Sequence, residues 1–315
     1  MKKTLTLLLV LVSIKLFAQT AEPNFSLSAI ESSKTWIDID YVGDGIIGHK
    51  LDIFLPKKGK APFPIIVTIY GSAWFSNSAK GSCFKDGFGQ ALLNNGFAVV
   101  SINHRSSADA VWPAQLHDIK AAVRFVRANA TKFSLDSSFV GVSGFSSGGH
   151  LSTMLGVTSH LKNTKIGSLD IDLEGNIGKN ANSSSHVNAV VDWFGPTNFI
   201  TMDSCGSSFK HDDIKSPESS LIGGAIQESK DKVALANPMS YLSKNTVPFL
   251  IIHGTNDKLV PYCQSQELYQ KMQQVKVSSQ FITVDGGGHG PGVMIEKYYK
   301  EMIDFFKTQK KNIKK

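Results

Sequence analysis

Phe139-Val140-Gly141-Val142-Ser143-Gly144-Phe145-Ser146-Ser147-Gly148-Gly149-His150 runs from an apolar stretch into a glycine-flanked serine and on into a helix-like segment. It contains G-x-S-x-G between an expected strand, Phe139 to Val142, and an expected helix, Gly148 to Leu155. In that context the serine occupies a sharp strand-to-helix turn, its Oγ is presented to solvent, and the glycines make room for the turn and a substrate. The helix N-terminus behind it favours developing negative charge.

Outward from this turn the pattern is alternation. Trp36 to Val42 and Leu51 to Leu55 read as an antiparallel pair of strands across a glycine-rich turn. Ile65 to Ile69, Phe97 to Ile102, Val187 to Val191, Phe249 to Ile252 and Gln280 to Val284 are short apolar runs of the kind buried on both faces of a sheet. Between them, Gln90 to Asn95, Ala114 to Ala128, Ser265 to Met272 and Ile295 to Phe306 have helical spacing. Strands separated by helices predict an α/β fold, a mostly parallel sheet covered on both sides. Two stretches break the rhythm, residues 158–186 and 197–245, and are expected as excursions at the rim of the sheet, where binding loops gather.

A serine hydroxyl needs a base, and the base a third group that orients it. Of the nine histidines, His289 in Gly286-Gly287-Gly288-His289-Gly290 is best placed, on a flexible loop just past a strand. His150, within the helix after the serine, is expected to be a packing residue. Asp257, on the loop after Phe249 to Ile252, is the candidate carboxylate, with Asp285 expected to be a turn residue. The resulting order, serine then acid then histidine, is that of the α/β-hydrolase sheet. Oxyanion donors are expected from the backbone of Ser147 and of the loop Tyr70-Gly71-Ser72-Ala73-Trp74, through Ser72 and Ala73. Trp74, Phe75, Trp193 and Phe194 could line an acyl or sugar site. This chemistry calls for no metal and no organic cofactor.

From about Trp36 to Phe306 the chain resembles secreted bacterial α/β-hydrolase esterases of the feruloyl and acetyl-xylan esterase type, related to the hormone-sensitive-lipase-like carboxylesterases. The resemblance is carried by Trp112-Pro113-Ala114-Gln115, Gly144 to His150, Val190-Val191-Asp192-Trp193-Phe194-Gly195-Pro196-Thr197, Pro217-Glu218-Ser219, Ala236-Asn237-Pro238, His253-Gly254 through Asp257 to Val260-Pro261, and Gly288-His289-Gly290. It implies Ser146 as nucleophile, Asp257 as acid and His289 as base, acting on acetyl or feruloyl esters of small molecules or plant polysaccharide. One departure stands out: where the family's oxyanion loop usually reads His-Gly-Gly-Gly-Trp, this chain has Tyr70-Gly71-Ser72-Ala73-Trp74. An exported serine peptidase on the same fold, or a non-catalytic binding protein, are the alternatives. The first normally carries a large extra domain, and the second normally lacks a triad residue.

The formal net charge of +7 in 315 residues would raise the question of an anionic partner. Lys2, Lys3 and Lys15 at one end and Lys307, Lys310, Lys311, Lys314 and Lys315 at the other carry eight positive charges, so the body between them holds a net −1. No nucleic-acid partner is expected. Residues 1–18, two lysines followed by the apolar run Leu5 to Ile14 and then Leu16-Phe17-Ala18, have the layout of a secretory signal peptide, too short to span a bilayer. The expected organisation is therefore a signal peptide, a catalytic domain over residues 19–306 without an integral membrane segment, and a lysine-rich, solvated tail over 307–315. Export to the periplasm or medium follows, and oligomeric state is not specified. Cys83, Cys205 and Cys263 allow at most one disulfide; their spacing suits neither zinc nor a redox pair, and they are expected to be surface or core thiols.

Overall fold

Short β-branched runs with no polar alternation must be covered on both faces, and the chain builds its fold around them. A computed structural model describes residues 29–313; the expected signal peptide and Lys314 and Lys315 lie outside them. The strands are β1 (Lys34–Asp40), β2 (Lys50–Leu55), β3 (Phe63–Ile69), β4 (Ala98–Ile102), β5 (Leu135–Phe145), β6 (Asn163–Ile166), β7 (Leu169–Asp172), β8 (Ala189–Trp193), β9 (Phe249–Gly254) and β10 (Ser279–Val284). The helices are α1 (Phe88–Asn94), α2 (Ala114–Ala128), α3 (Ser147–Val157), α4 (Pro217–Ile222), α5 (Lys230–Ala236), α6 (Cys263–Gln274) and α7 (Glu296–Ile313).

Eight strands form one sheet in the order β1-β2-β4-β3-β5-β8-β9-β10. β1 and β2 pair antiparallel, β2 pairs antiparallel with β4, and β4, β3, β5, β8, β9 and β10 are mutually parallel. The period-2 geometry of the strands divides their side chains between two cores. Ile65, Val67, Val100, Val142, Val190 and Ile251 face α2, α3 and α6, while Ile66, Val99, Val191, Leu250 and Ile252 face α1 and α7. No helix among the described residues is long and apolar enough to cross a membrane.

Because six of these strands are parallel neighbours, their carboxyl ends open onto one edge. The register aligns Ile69 with Gly144, Phe145 with Trp193, and Val284 with Gly254. The loops holding Tyr70–Trp74, Ser146, Phe194, Asp257 and His289 therefore start side by side.

The two excursions part company. Helix α3 starts at this edge and, at 1.5 Å per residue over eleven residues, ends at Val157 about 16 Å away. Residues 158–186 leave from that far end, fold into the β6–β7 hairpin and are clamped by α2. Lys120, fully buried, donates from Nζ to the carbonyls of Thr158 (3.0 Å) and Leu161 (3.1 Å) and pairs with Glu174 at 3.2 Å. Arg124 meets Glu174 at 2.6 Å. This excursion does not gather at the site, contrary to expectation; only 197–245 does.

Two further expectations are corrected. Helix α7 does not stop at Phe306 but runs to Ile313, because Lys307-Thr308-Gln309-Lys310-Lys311 contains no glycine or proline to end it. Cys205 and Cys263 are not separate thiols but a disulfide, tying the second excursion to the start of α6, while Cys83 is a buried free thiol whose pKa burial pushes up to about 11.

Candidate active site

The turn after β5 forces Ser146 into φ 57°, ψ −127°, a region that non-glycine residues rarely occupy. It is held there from below: the Ser146 amide donates to the Trp193 carbonyl at 2.9 Å, and the His150 amide closes the first turn of α3 on the Ser146 carbonyl at 3.1 Å. Gly148 is needed because a Cβ there would collide with the carbonyl oxygens of Ile69 and Tyr70, and Gly71 because its Cβ would come within 2.8 Å of the Ser146 Cβ. The elbow thus fits only because Gly148 and Gly71 carry no side chain where it meets the end of β3.

Ser146, His289 and Asp257, far apart in sequence, come together at the sheet edge. His289 Nε2 lies 2.9 Å from Ser146 Oγ, and His289 Nδ1 lies 2.7 Å from Asp257 Oδ2. A carboxylate only accepts, so Nδ1 carries the proton and Nε2 turns a lone pair to the serine hydroxyl. The loops are laced to each other, with the Asn256 amide donating to the Gly287 carbonyl at 2.9 Å. Asp257 also accepts from the amides of Leu259 and Val260, each at 2.9 Å. Burial opposes its ionisation, but His253 and His289 outweigh that and hold its carboxyl well below the usual carboxylate range. Asp285 is exposed and, among the described residues, accepts from the Thr255 hydroxyl at 3.3 Å, as a turn residue does. His150 is fully buried; its Nε2 donates to the Ala236 carbonyl at 2.8 Å, and burial lowers its pKa to about 4, so it packs as a neutral ring.

The departing oxyanion loop has its own supports. Tyr70, buried against His104, donates its hydroxyl to the Ser76 carbonyl at 2.8 Å and closes the loop. Ala73 and Trp74 take φ 52° and 57°, which glycine would adopt without strain. The amide of Ser72, expected among the oxyanion donors, is already committed: it donates to Ser147 Oγ at 2.9 Å. The amides of Ala73 and Ser147 have no protein acceptor among the described residues.

Of the aromatic residues expected to line a substrate site, Trp74 lines the space beside Ser146 and Phe194 packs its ring 4.7 Å from that of His289. Trp193 does not: it is fully buried on the α1–α7 side, donating Nε1–H to Ser143 Oγ at 3.1 Å. Phe75 is half exposed and lines neither space around Ser146. Sequence reading missed His211, Glu218, Leu259 and Met294, which do line them. Pro217-Glu218-Ser219 was the one available signal, and it carried no role.

Comparison with known proteins agrees with this fold. A solved structure described as a truncated form of a carbohydrate esterase from gut microbiota superposes with a TM-score of 0.86 at 46% identity, covering 89% of this chain and 98% of that one. A bifunctional GH43-CE protein of Bacteroides eggerthii gives 0.82 at 48% identity, over 87% of this chain and 38% of that one. Esterase LipC of Mycobacterium tuberculosis (strain ATCC 25618 / H37Rv) is 27% identical over 241 residues, 73% of this chain and 53% of LipC. The chain spans about half the length of the curated relatives it matches. The mostly parallel sheet, the elbow after its central strand and these neighbours make the fold that of the α/β-hydrolases. The BD-FAE family model matches residues 51–272, and the chain belongs to the BD-FAE family.

Proposed function

We propose that this protein is an exported serine carboxylesterase that removes short acyl groups from carbohydrate. Ser146 Oγ attacks the ester carbonyl as His289 Nε2 takes its proton, and the amides of Ala73 and Ser147 receive the oxyanion. The tetrahedral intermediate collapses, the alcohol leaves with the proton from His289, and an acyl-Ser146 ester remains. Water, deprotonated by the same Nε2, then attacks this ester and releases the acid. Asp257 keeps the imidazole in the required tautomer and stabilises its charged form. The observation that carries this reading is the continuous hydrogen-bonded path from Ser146 through His289 to buried Asp257, at 2.9 and 2.7 Å.

Carbohydrate as the alcohol is supported by the carbohydrate esterases among the similar structures. Export is supported by the layout of residues 1–18 and by the Cys205–Cys263 disulfide, a bond that persists in oxidising compartments. The test is p-nitrophenyl acetate hydrolysis and fluorophosphonate labelling of the wild type and Ser146→Ala. Both signals should disappear in the variant with its circular dichroism unchanged. Turnover retained by folded Ser146→Ala refutes the assignment, and a wild type that neither labels nor turns over points to a non-catalytic binding protein.

A further inference from the structure

Two spaces meet at Ser146. The larger, about 400 Å³, opens to solvent and is lined by His289, Met294 and the polar residues Ser82, Lys85 and Asp86. The smaller, about 50 Å³, is lined by Trp74, Ser147, Pro217, Leu259, His211 and Glu218. They share Ala73, Ser146 and Leu259, so they lie on two sides of one serine.

The chemistry decides which side takes which half of an ester. The leaving oxygen must receive its proton from His289, and His289 lines only the larger space. The alcohol therefore belongs there. With the carbonyl oxygen directed to the amides of Ala73 and Ser147, both of which border the smaller space, the acyl substituent is left with that space.

Its size restricts the acyl group. A water occupies ~30 Å³ of liquid, and a cavity of ~150 Å³ is what accommodates a benzene ring. About 50 Å³ is a third of the space that takes a benzene ring, which leaves room for a short acyl group and none for an aromatic one. The far wall is also polar. His211 Nδ1 lies 3.1 Å from Glu218 Oε2, and both side chains are only 4% exposed. His211 Nε2 sits 2.8 Å from the Ser207 hydroxyl, which can donate or accept, and 3.0 Å from the Leu259 carbonyl, so both ring nitrogens face polar groups. Burial opposes the charged ring, but Glu218 raises the His211 pKa above its ordinary value. A longer apolar chain would have to press on this buried imidazole–carboxylate pair and desolvate it further.

We propose that His211 and Glu218 are specificity-determining residues that close the acyl side of the Ser146 site, limiting the substrate to acetyl esters and excluding aromatic acyl groups such as ferulate. This rests on the esterase reading above, in which the acyl group is carried on Ser146.

The test is the chain-length profile of p-nitrophenyl acetate, propionate, butyrate and hexanoate, with methyl ferulate alongside. In the wild type each added methylene should lower kcat/KM about tenfold or more, and ferulate should be inert. In His211→Ala/Glu218→Ala, which removes both polar side chains together, the butyrate-to-acetate ratio should rise at least tenfold. A wild type that hydrolyses butyrate or ferulate as well as acetate overturns the proposal, as does a folded double variant with an unchanged ratio. Should the double variant not fold, labelling of wild-type Ser146 by p-nitrophenyl methylphosphonates and hexylphosphonates decides the matter: equal rates refute the restriction, and a methyl preference of at least a hundredfold supports it. Absence of any ester turnover or labelling would instead sink the esterase reading itself, so the two failures are distinguishable.

Discussion

Asp192→Asn should gain stability relative to the wild type as the pH rises from acid to neutral. Asp192 lies near the end of β8, fully buried under α3, with Oδ1 accepting from the Gly195 amide at 3.0 Å. Burial pushes its pKa from 3.8 up to about 6, against the opposing pull of the Gly195 amide and the Thr153 hydroxyl. The folded state therefore retains a proton that the unfolded chain releases between about pH 4 and 6. More protons bound in the folded state mean that stability falls as pH rises through that window. A displacement from 3.8 to about 6, at ~1.4 kcal/mol per pH unit, is worth about 3 kcal/mol once the pH is above the window. Asparagine keeps the acceptor for Gly195 and cannot ionise. Its new N–H₂ group adds a cost that is the same at every pH, so the informative quantity is how the difference between variant and wild type changes. Urea denaturation at pH 4, 5, 6 and 7.5 measures it. The variant should gain about 2 to 3 kcal/mol on the wild type between pH 4 and 7.5, with the change concentrated between pH 4 and 6. A difference that stays flat across this range, or moves the other way, would refute the reasoning.

Asp257→Asn should lower kcat roughly 10³- to 10⁴-fold through loss of the correct His289 tautomer, with KM for p-nitrophenyl acetate nearly unchanged; steady-state kinetics checks this. Ser147→Ala removes the acceptor of the Ser72 amide, which should loosen the 70–76 loop and cost about 1 to 3 kcal/mol for the unpaired amide. Thermal denaturation reads the stability loss, and a fall in kcat larger than any change in KM reads the loop. Replacing Cys205 and Cys263 by serine opens a bridge spanning 58 residues and should lower stability by about 2 to 4 kcal/mol, measured by urea denaturation without reductant.

Some of the site is written locally. The elbow could be read because a strand, a sharp turn and a helix are consecutive, and the glycines around Ser146 serve contacts made within a few residues or with the adjacent strand end. The buried strands declare themselves by continuous β-branched composition, and α2 by its apolar stripe. The ends of elements were less legible. Helix α7 continues past Phe306 because its apolar face stops there while its backbone has no reason to, and hydrophobic periodicity reports only the face.

By itself the sequence determined the class of fold, the serine, and the histidine and carboxylate that could partner it, because these depend on residue type and local context. Only the tertiary structure decided the rest. It joined His289 to Asp257 at 2.7 Å and left Asp285 in solvent, a choice between two acids on neighbouring loops that parallel strand register makes. The fold turned the Ser72 amide toward Ser147 Oγ and took Trp193 out of the site, since a strand residue's face follows from which parity of the sheet it occupies. It also sent residues 158–186 to the far end of α3 while bringing His211 and Glu218 from the other excursion to within reach of Ser146. Irregular polar segments have no periodicity to reveal what they will face. Their destination is set by where the regular elements release them and by buried partners, such as Lys120 and Arg124, that hold their backbones.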